Sequence, residues 1–234
     1  MTTLFISDLH LCDQQPQTTR SFIQFCHTQA RHARALYILG DFFEYWLGDD
    51  ALDKTAQLAQ QALCGLREND VELYFMAGNR DFLLGETFAD SCGMKLLQEP
   101  HVIELQGEPV LLVHGDAECT DDLAYQQIRQ QFRDPQWQNH FLSLSIEQRI
   151  EFAQKARQAS QQHTQSSEQT IMDVNQQAID DLFDHHQVKT LIHGHTHRPA
   201  IHANNGRRRI VLGDWHHQSS FLKVDDKGFA LFSQ

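Results

Sequence analysis

Short apolar runs recur along this chain and alternate with longer stretches of helical spacing. Five of the runs lie near residues 3–7, 35–39, 71–76, 109–113 and 188–193. Apolar runs of this length are typical of buried strands, whereas a period of about 3.6 residues is typical of helices. We therefore predict helices near 18–33, 52–69 and 174–186, and shorter strands near 199–203, 208–212, 220–224 and 228–232. This alternation favours the α/β fold class.

The composition of the 234 residues, with 41% hydrophobic and 21% charged, predicts a globular chain with a sizeable core. A formal charge of −12 argues against nucleic acid as a partner, because nucleic-acid binding needs a basic surface. The five cysteines form no CxxC pair, which fits a reducing compartment. Without a basic n-region or a long apolar run at its start, the chain is expected in the cytoplasm.

A stretch from about 121 to 170 differs from the rest, because it combines helical spacing with few β-branched residues. Pro135 stands at a plausible first turn of one helix. The apolar residues here have two interpretations. They form ordinary amphipathic helices packed on the core, or a helical cap inserted between two core strands with apolar surface open to a ligand. We treat residues 1–234 as a single domain that includes this cap.

Each of the five main apolar runs ends in a polar motif. In chain order the motifs are Asp8-x-His10, Gly40-Asp41, Gly78-Asn79-Arg80-Asp81, His114-Gly115-Asp116 and Gly194-His195-Thr196-His197. A single aspartate after a strand is usually a turn or capping residue. Five such motifs in order indicate a binding site instead, because sites in α/β sheets form at the carboxyl ends of the strands.

The side chains of these motifs are typical metal ligands. His195 and His197 alternate, so on an extended segment they point the same way. Two carboxylates, one amide and four histidines suit Mn²⁺, Fe²⁺ or Zn²⁺ better than Mg²⁺ or Ca²⁺. Seven ligands are more than one tetrahedral ion can bind, and their number matches two ions that share a carboxylate. Two ions about 3.5–4 Å apart stabilise the attacking and leaving oxygens of phosphoryl transfer, so we predict a bimetallic phosphohydrolase.

The motifs D-x-H, G-D, G-N-R-D, H and G-H-x-H resemble the signature of the calcineurin-like metallophosphoesterase superfamily. The resemblance implies a two-sheet β-sandwich flanked by helices. It also implies two metal ions that share Asp41. One ion would be held by Asp8, His10, Asp41 and His197 and the other by Asp41, Asn79, His114 and His195.

Longer segments, among them FISDLHLC, GDFFEYWLGDD, GNRDFLLG and LIHGHTHRPAIH, resemble the lipid A branch of that superfamily over nearly the whole chain. This closer resemblance implies hydrolysis of the pyrophosphate of UDP-2,3-diacylglucosamine to UMP and 2,3-diacylglucosamine 1-phosphate, with two Mn²⁺ ions. Water would attack the phosphorus attached to uridine. The lipid nucleotide implies a peripheral contact with the cytoplasmic face of the inner membrane, and we predict no protein partner.

The same resemblance suggests roles for individual residues. Asp41, His195 and Arg80 would act in catalysis, with the Arg80 guanidinium placed to bind a phosphate oxygen. Substrate contacts would come from Asn79, Arg80, Asp122, Ser160 and His195. The chain departs from its relatives at Thr164 and at Ser167, where relatives place a lysine, so these two positions are not assigned. Arg157 or backbone groups would then bind the substrate phosphate instead.

Other residues near the motifs are expected to support the site or simply to pack. His193 would orient a ligand histidine or fill the core, and Asp81 and Asp116 would orient backbone groups or ligand histidines. His216 and His217 are expected at the surface or along one wall of the site. Two other functions remain open: a different dimetal phosphodiesterase or phosphatase, and a non-catalytic scaffold of the same fold.

Overall fold

The computed structural model describes residues 2–166, 173–216 and 218–233, with the backbone alone at 160–166. The strands are β1 (Thr3–Ile6), β2 (Ala35–Leu39), β3 (Glu72–Met76), β4 (Met94–Leu97), β5 (His101–Leu105), β6 (Glu108–Leu112), β7 (Thr190–His193), β8 (Ala200–Asn204), β9 (Arg207–Val211), β10 (Ser220–Asp225) and β11 (Gly228–Ser233). The helices are α1 (Pro16–Thr28), α2 (Lys54–Arg67), α3 (Glu86–Cys92), α4 (Leu123–Phe132), α5 (Pro135–Ser143), α6 (Ile146–Ser166) and α7 (Gln176–His186), with a 3₁₀ turn at Ala30–His32.

The strands form two sheets packed face to face. Their orders are β11-β10-β1-β2-β3-β4 and β5-β6-β7-β9-β8. Side chains on the facing sides of the sheets, such as Phe5, Met76 and Ile192, share one buried cluster. The two residues of β1 that flank Phe5, Leu4 and Ile6, point to the opposite face of the sheet and belong to a second buried cluster. This alternation of side chains along a strand is what allows one sheet to be buried on both faces.

Helices cover both outer faces of the sandwich. Phe22 of α1, Leu63 of α2 and Phe88 of α3 belong to the cluster on the outer face of the first sheet. On the second sheet, Ile179 and Phe183 of α7 pack against β6 and β7. The prediction of a two-sheet α/β sandwich flanked by helices is therefore confirmed.

Strand direction places the carboxyl ends of the strands that the polar motifs follow at a common edge of the sandwich. β1, β2 and β3 run parallel in the first sheet, and β6 and β7 run parallel in the second. The helices α4 to α7 lie between β6 and β7 in the chain, so the cap begins at this edge. Asp134 caps the first turn of α5, where Pro135 stands as predicted. The helical character of the cap is confirmed for α4, α5 and α6.

The structure also contains elements that the sequence patterns did not predict. β4, β5 and α3 are new, and the helix expected near 18–33 ends at Thr28 and is followed by the 3₁₀ turn. Among the described residues, no helix has the length and apolar character needed to cross a membrane.

Candidate metal centre

The five polar motifs meet at the common edge of the two sheets. Their ligand atoms form two groups, each lying within 4.8 Å. The first cluster consists of Asp8, His10 and His197, and the second cluster of Asp41, His114 and His195. Each cluster combines residues from both sheets, because β1 and β2 belong to one sheet and β6 and β7 to the other.

Asp41 lies between the two clusters. Its Oδ2 is 3.7 Å from His10 Nε2, and its Oδ1 is 3.6 Å from His114 Nε2. Asn79 adds a further oxygen, since its Oδ1 lies 3.0 Å from His114 Nε2. The carboxylate of Asp41 is thus placed to serve both clusters, and the amide of Asn79 the second one.

The outer ring nitrogens of three histidines face oxygen atoms. His114 Nδ1 lies 2.8 Å from the Leu39 carbonyl oxygen, which can only accept. His10 Nδ1 is 2.9 Å from a carboxylate oxygen of Glu44, and His197 Nδ1 is 3.2 Å from one of Asp214. A proton on Nδ1 leaves the Nε2 lone pair free for a metal ion. All three histidines therefore turn Nε2 toward the centre.

The two oxygens of Asp8 have different surroundings. Oδ2 accepts hydrogen bonds from the Ser7 hydroxyl at 2.6 Å and from the His195 amide at 2.9 Å. Oδ1 is buried, lies 3.3 Å from His197 Nε2 and accepts no hydrogen bond from any described residue. A buried carboxylate oxygen without a donor is costly unless a cation binds it. This orphaned oxygen, together with the mixed nitrogen and oxygen donors, fits a divalent transition metal.

The backbone at the site adopts a conformation that is rare for residues with a side chain. Five of the predicted ligands have a positive φ: Asp8 at 58°, His10 at 51°, Asp41 at 50°, His195 at 65° and His197 at 55°. Outside glycine such angles are uncommon and cost free energy, and they cluster where function requires them.

Close backbone approach at the site also requires glycine. A Cβ on Gly78 would overlap Asp41, and one on Gly194 would overlap the Ser7 hydroxyl and the Asp8 carboxylate. The loops after β3 and β7 can therefore reach the loops after β1 and β2 only because these two positions lack a side chain.

The side chains of the two clusters shift one another's pKa values. Burial lowers the pKa of His197, but the carboxylates of Asp214 and Asp8, 3.2 and 3.3 Å from its ring nitrogens, outweigh it and raise the pKa to about 10. Burial and the neighbouring His114 lower the pKa of His195 to about 4. Burial would raise the pKa of Asp8, yet His197 holds it below its ordinary value. Such opposed shifts are typical of functional sites.

Two buried aspartates of the motifs, Asp81 and Asp116, belong to neither cluster and instead form hydrogen bonds that connect neighbouring loops and helices. Asp81 accepts hydrogen bonds from the amides of Phe42 and Gly78, at 2.7 and 2.9 Å, and so ties the loop after β2 to the loop after β3. Asp116 accepts from the Tyr125 hydroxyl at 2.6 Å and from Arg129 Nε at 2.9 Å. It therefore links the loop after β6 to α4 of the cap.

A cavity of about 590 Å³ opens between the motif loops and the cap. Asn79 and Arg80 line its polar end. The remaining wall is largely apolar, and its aromatic side chains include Trp46, Phe82, Phe132, Trp137, Phe141 and Phe152. Apolar walls with a few polar groups at one end are typical of ligand sites.

Of the predicted substrate contacts, His195 belongs to the second cluster. Asn79 and Arg80 line the cavity, while Asp122 is buried as the cap of α4 and accepts from the Tyr125 amide at 3.0 Å. The side chains of Ser160 and Thr164, and the whole of Ser167 and His217, lie outside the described residues.

Of the remaining predicted residues, Arg157 Nε lies 3.2 Å from Glu44. His216 is exposed and stacks on His10 with ring centroids 5.6 Å apart, so it lies at the surface beside the first cluster. His193 is fully buried and belongs to neither cluster, and its Nε2 lies 3.2 Å from Arg209.

Sequence patterns missed the contacts of Glu44 and Asp214 with ligand histidines. Glu44 follows the G-D motif closely and Asp214 follows β9, but no fixed spacing connects either residue to its histidine. The only signal in the sequence was the G-D repeated after the late apolar strand, in Gly213-Asp214.

Comparisons with known proteins agree with this geometry. The model of the calcineurin-like phosphoesterase family matches residues 1–199. UDP-2,3-diacylglucosamine hydrolase of Stenotrophomonas maltophilia strain K279a is 51% identical over 99% of this chain and 98% of its own length. The protein of the same name from Xanthomonas oryzae pv. oryzae strain PXO99A is 48% identical with the same coverage.

Among solved structures, an archaeal phosphodiesterase covers the full length of both chains with a TM-score of 0.52 at 12% identity, which bears on the fold alone. The chain therefore belongs to the calcineurin-like phosphoesterase family, in the group that contains the UDP-2,3-diacylglucosamine hydrolases.

Proposed function

We propose that this protein hydrolyses the pyrophosphate bond of UDP-2,3-diacylglucosamine to UMP and 2,3-diacylglucosamine 1-phosphate, a step of lipid A synthesis. The observation that carries the proposal is a pair of ligand clusters joined by Asp41 beside a largely apolar cavity. A diphosphate and two acyl chains require this combination of a cationic centre and an apolar wall. The substrate itself is suggested by the names of the full-length relatives.

In this proposal Asp8, His10, Asp41 and His197 hold one ion, and Asp41, Asn79, His114 and His195 hold the other. When bound, two divalent ions supply a Lewis acid for the phosphate and lower the pKa of the attacking water. The donor set of imidazole, carboxylate and amide suits Mn²⁺, and Fe²⁺ or Zn²⁺ share that preference.

The protein's own groups then bind and orient the diphosphate. Arg80, at the polar end of the cavity, offers a planar fork of donors to the phosphate oxygens and stabilises negative charge as it develops. His195 packs its ring against Tyr125 and faces the same site, where it stabilises that charge as well. Water attacks the phosphorus attached to uridine, and the lipid phosphate leaves.

The apolar wall of the cavity is the proposed site of the acyl chains. Three helices contribute to it, through Phe132 of α4, Trp137 and Phe141 of α5 and Phe152 of α6. Burying a methylene group contributes about 0.8 kcal/mol, so two acyl chains would provide much of the binding energy. The cap therefore selects a lipid nucleotide over a simple diester.

The lipid substrate also suggests where the enzyme works. We propose a peripheral contact with the cytoplasmic face of the inner membrane. Apolar side chains exposed on the cap support it, among them Leu123, Ile128 and Ile150, of which Leu123 is 72% exposed. Helices with such exposed apolar residues lie at membrane interfaces without crossing them.

The test is to incubate the purified protein with UDP-2,3-diacylglucosamine in detergent, with Mn²⁺ or with EDTA, in ¹⁸O-labelled water. We expect UMP that carries the label, formed only with metal, when the products are analysed by mass spectrometry. Label in the lipid phosphate would place the attack on the other phosphorus.

Faster hydrolysis of a chromogenic diester than of the lipid nucleotide would favour a general phosphodiesterase. Turnover that survives Asp41→Asn or His114→Ala would contradict the metal centre.

A further inference from the structure

We infer that Glu44 and Asp214 are positioning residues that hold the two histidines of the first cluster with Nε2 turned toward the metal. The inference rests on the metal centre of the proposed function. It adds two carboxylates that are not ligands, and it connects one of them to the cap. The general reason is that a metal-bound histidine binds best when its outer N–H is held by an acceptor, which fixes both the tautomer and the ring orientation.

Glu44 is placed against His10 by the backbone. Its amide donates to the Leu11 carbonyl at 3.1 Å, next to a strand-like bridge between Leu11 and Phe43. The side chain is 11% exposed, and its Oε2 lies 2.9 Å from His10 Nδ1, an ion-pair contact that is not aligned as a hydrogen bond in the described residues. The other oxygen, Oε1, lies 3.2 Å from Arg157 Nε in α6. Arg157 therefore fixes the Glu44 carboxylate, which in turn lies against the His10 ring.

Asp214 occupies the equivalent position beside His197. Its Oδ2 lies 3.2 Å from His197 Nδ1, and its Oδ1 accepts from the His216 amide at 3.3 Å. The neighbouring Trp215 donates its backbone N–H to the Asp8 carbonyl at 3.3 Å. The loop after β9 is thus attached to the loop after β1, and the carboxylate of Asp214 is held in place beside the ligand.

The second cluster has a different support. Its His114 faces the Leu39 carbonyl through Nδ1, and that acceptor is part of the backbone of β2. A carboxylate can be removed by substitution, but a backbone carbonyl cannot. Loss of Glu44 or Asp214 should therefore weaken metal binding by the first cluster and leave the second cluster unchanged. A role in general stability would affect both clusters alike.

Asp214 also has a competing interpretation. With His197 and His216 it forms a third group whose ligand atoms lie within 4.8 Å. A third ion there would bind His197 through the nitrogen that now faces Asp214. Positioning by Asp214 predicts two ions for each chain, whereas a third site predicts three. The metal stoichiometry separates the two interpretations.

The experiment titrates the metal-free chain with Mn²⁺ and measures free Mn²⁺ by electron paramagnetic resonance. His197→Ala and His114→Ala identify the binding steps of the first and second clusters. We expect Glu44→Gln and Asp214→Asn to weaken the first-cluster step about 10–100-fold. Arg157→Ala should weaken it by a smaller factor, because Glu44 remains but is no longer held. The exposed Glu151→Gln, in the same helix as Arg157, and Asp226→Asn are matched controls that should change neither step.

The outcomes separate this inference from the proposed function. If the unmodified chain binds no Mn²⁺, the metal centre fails, and the positioning roles fail with it. If it binds two ions and Glu44→Gln and Asp214→Asn bind them equally well, the metal centre stands and the inference is wrong. Three ions in the unmodified chain and two in Asp214→Asn would overturn the role of Asp214 alone. If Glu44→Gln does not fold, Arg157→Ala still tests the connection to the cap.

Discussion

At the scale of single residues, the site depends on backbone conformations that the sequence does not reveal. Five ligand residues adopt a positive φ, which costs on the order of 1 kcal/mol or more for each non-glycine residue. Packing elsewhere must offset this cost, and the buried apolar clusters on both sides of the first sheet supply the stabilising free energy. The conformations of these five residues are therefore maintained by the packing of the sandwich around them.

A glycine substitution tests this close approach directly. Gly194→Ala should lower the free energy of unfolding of the metal-free chain by about 1–3 kcal/mol, because its Cβ would overlap Ser7 and Asp8. Gly65→Ala, in α2, is the matched control. A Cβ there meets no atom within 4 Å, and alanine should stabilise the helix by about 0.5–1 kcal/mol. Urea unfolding measures both variants, and equal stability of the two would contradict the close packing at Gly194.

Glu118 should make the stability depend on pH. It is 7% exposed, its Oε2 has no hydrogen-bond partner among the described residues, and burial raises its pKa to about 7. The folded chain then binds this proton more tightly than the unfolded chain, whose glutamate pKa is about 4.3. The stabilisation that this proton contributes is complete below pH about 4.3 and is lost as the pH rises to about 7.

Glu118→Gln should remove this loss, because glutamine does not ionise. Relative to the unmodified chain, the variant should gain roughly 3 kcal/mol of unfolding free energy between pH 4.5 and 7.5. Chemical unfolding at the two pH values measures the gain. The exposed Glu151→Gln should keep a constant difference from the unmodified chain. A constant difference for Glu118→Gln as well would mean that its carboxyl titrates normally.

At the scale of elements, the strands that carry ligands and the edge strands β8 and β11 were predicted, whereas the edge strands β4 and β5 and the short helix α3 were not. β1, β2 and β7 are almost entirely buried, so they appear in the sequence as continuous apolar runs. β4 and β5 lie at the outer edges of the sheets and have mixed burial, and α3 is only seven residues long. Such elements depend on neighbours that are distant in sequence, and local patterns do not encode those contacts.

The same reason explains what was predicted of the site. The ligand residues follow buried strands directly, so their motifs are visible in the chain. Glu44 and Asp214 contact the ligand histidines across the fold, from loops 34 and 17 residues away from their partners in sequence. Their contacts follow from the packing of the loops after β2 and β9, which no spacing in the sequence specifies.

Arg149, near the start of α6, is one of the residues that attach the cap to the core. Its side chain is 5% exposed and pairs with both carboxylate oxygens of Asp50, at 2.6 and 3.0 Å. It also donates to the carbonyl oxygens of Leu47, Leu142 and Leu144. One guanidinium thus satisfies acceptors from the core loop and from the cap, which a lysine with its single ammonium group cannot do.

Arg149→Ala should therefore loosen the cap without removing a metal ligand. We expect a loss of about 2–4 kcal/mol in unfolding free energy, because several buried acceptors lose their donor. Arg149→Lys should recover part of it. For the lipid nucleotide, KM should rise far more than for a short chromogenic diester that does not need the cap. Arg20→Ala, at an exposed arginine of α1, is the control and should change neither value. An equal rise in KM for both substrates would contradict the role of the cap.

At the scale of the whole molecule, the two ligand clusters of the candidate metal centre exist only when the two sheets are packed together. Asp8, His10 and Asp41 follow strands of the first sheet, while His114, His195 and His197 follow strands of the second. In the unfolded chain these groups are separated by up to 189 residues, so the unfolded chain offers no preformed site. Metal binding should then favour the folded state by mass action. It also reduces the repulsion within a chain of net charge −12.

Mn²⁺ should therefore raise the melting temperature, and its effect should depend on which ligand is removed. At a free Mn²⁺ concentration of 100 times Kd, one site stabilises the fold by about 2.7 kcal/mol, or about 5–10 °C for a chain of this size. Asp41→Asn should lose most of the total shift, because this carboxylate faces both clusters. His197→Ala should retain the part that belongs to the second cluster. Differential scanning fluorimetry with Mn²⁺ or EDTA measures these shifts, and an undiminished shift in Asp41→Asn would show that the two clusters do not share this residue.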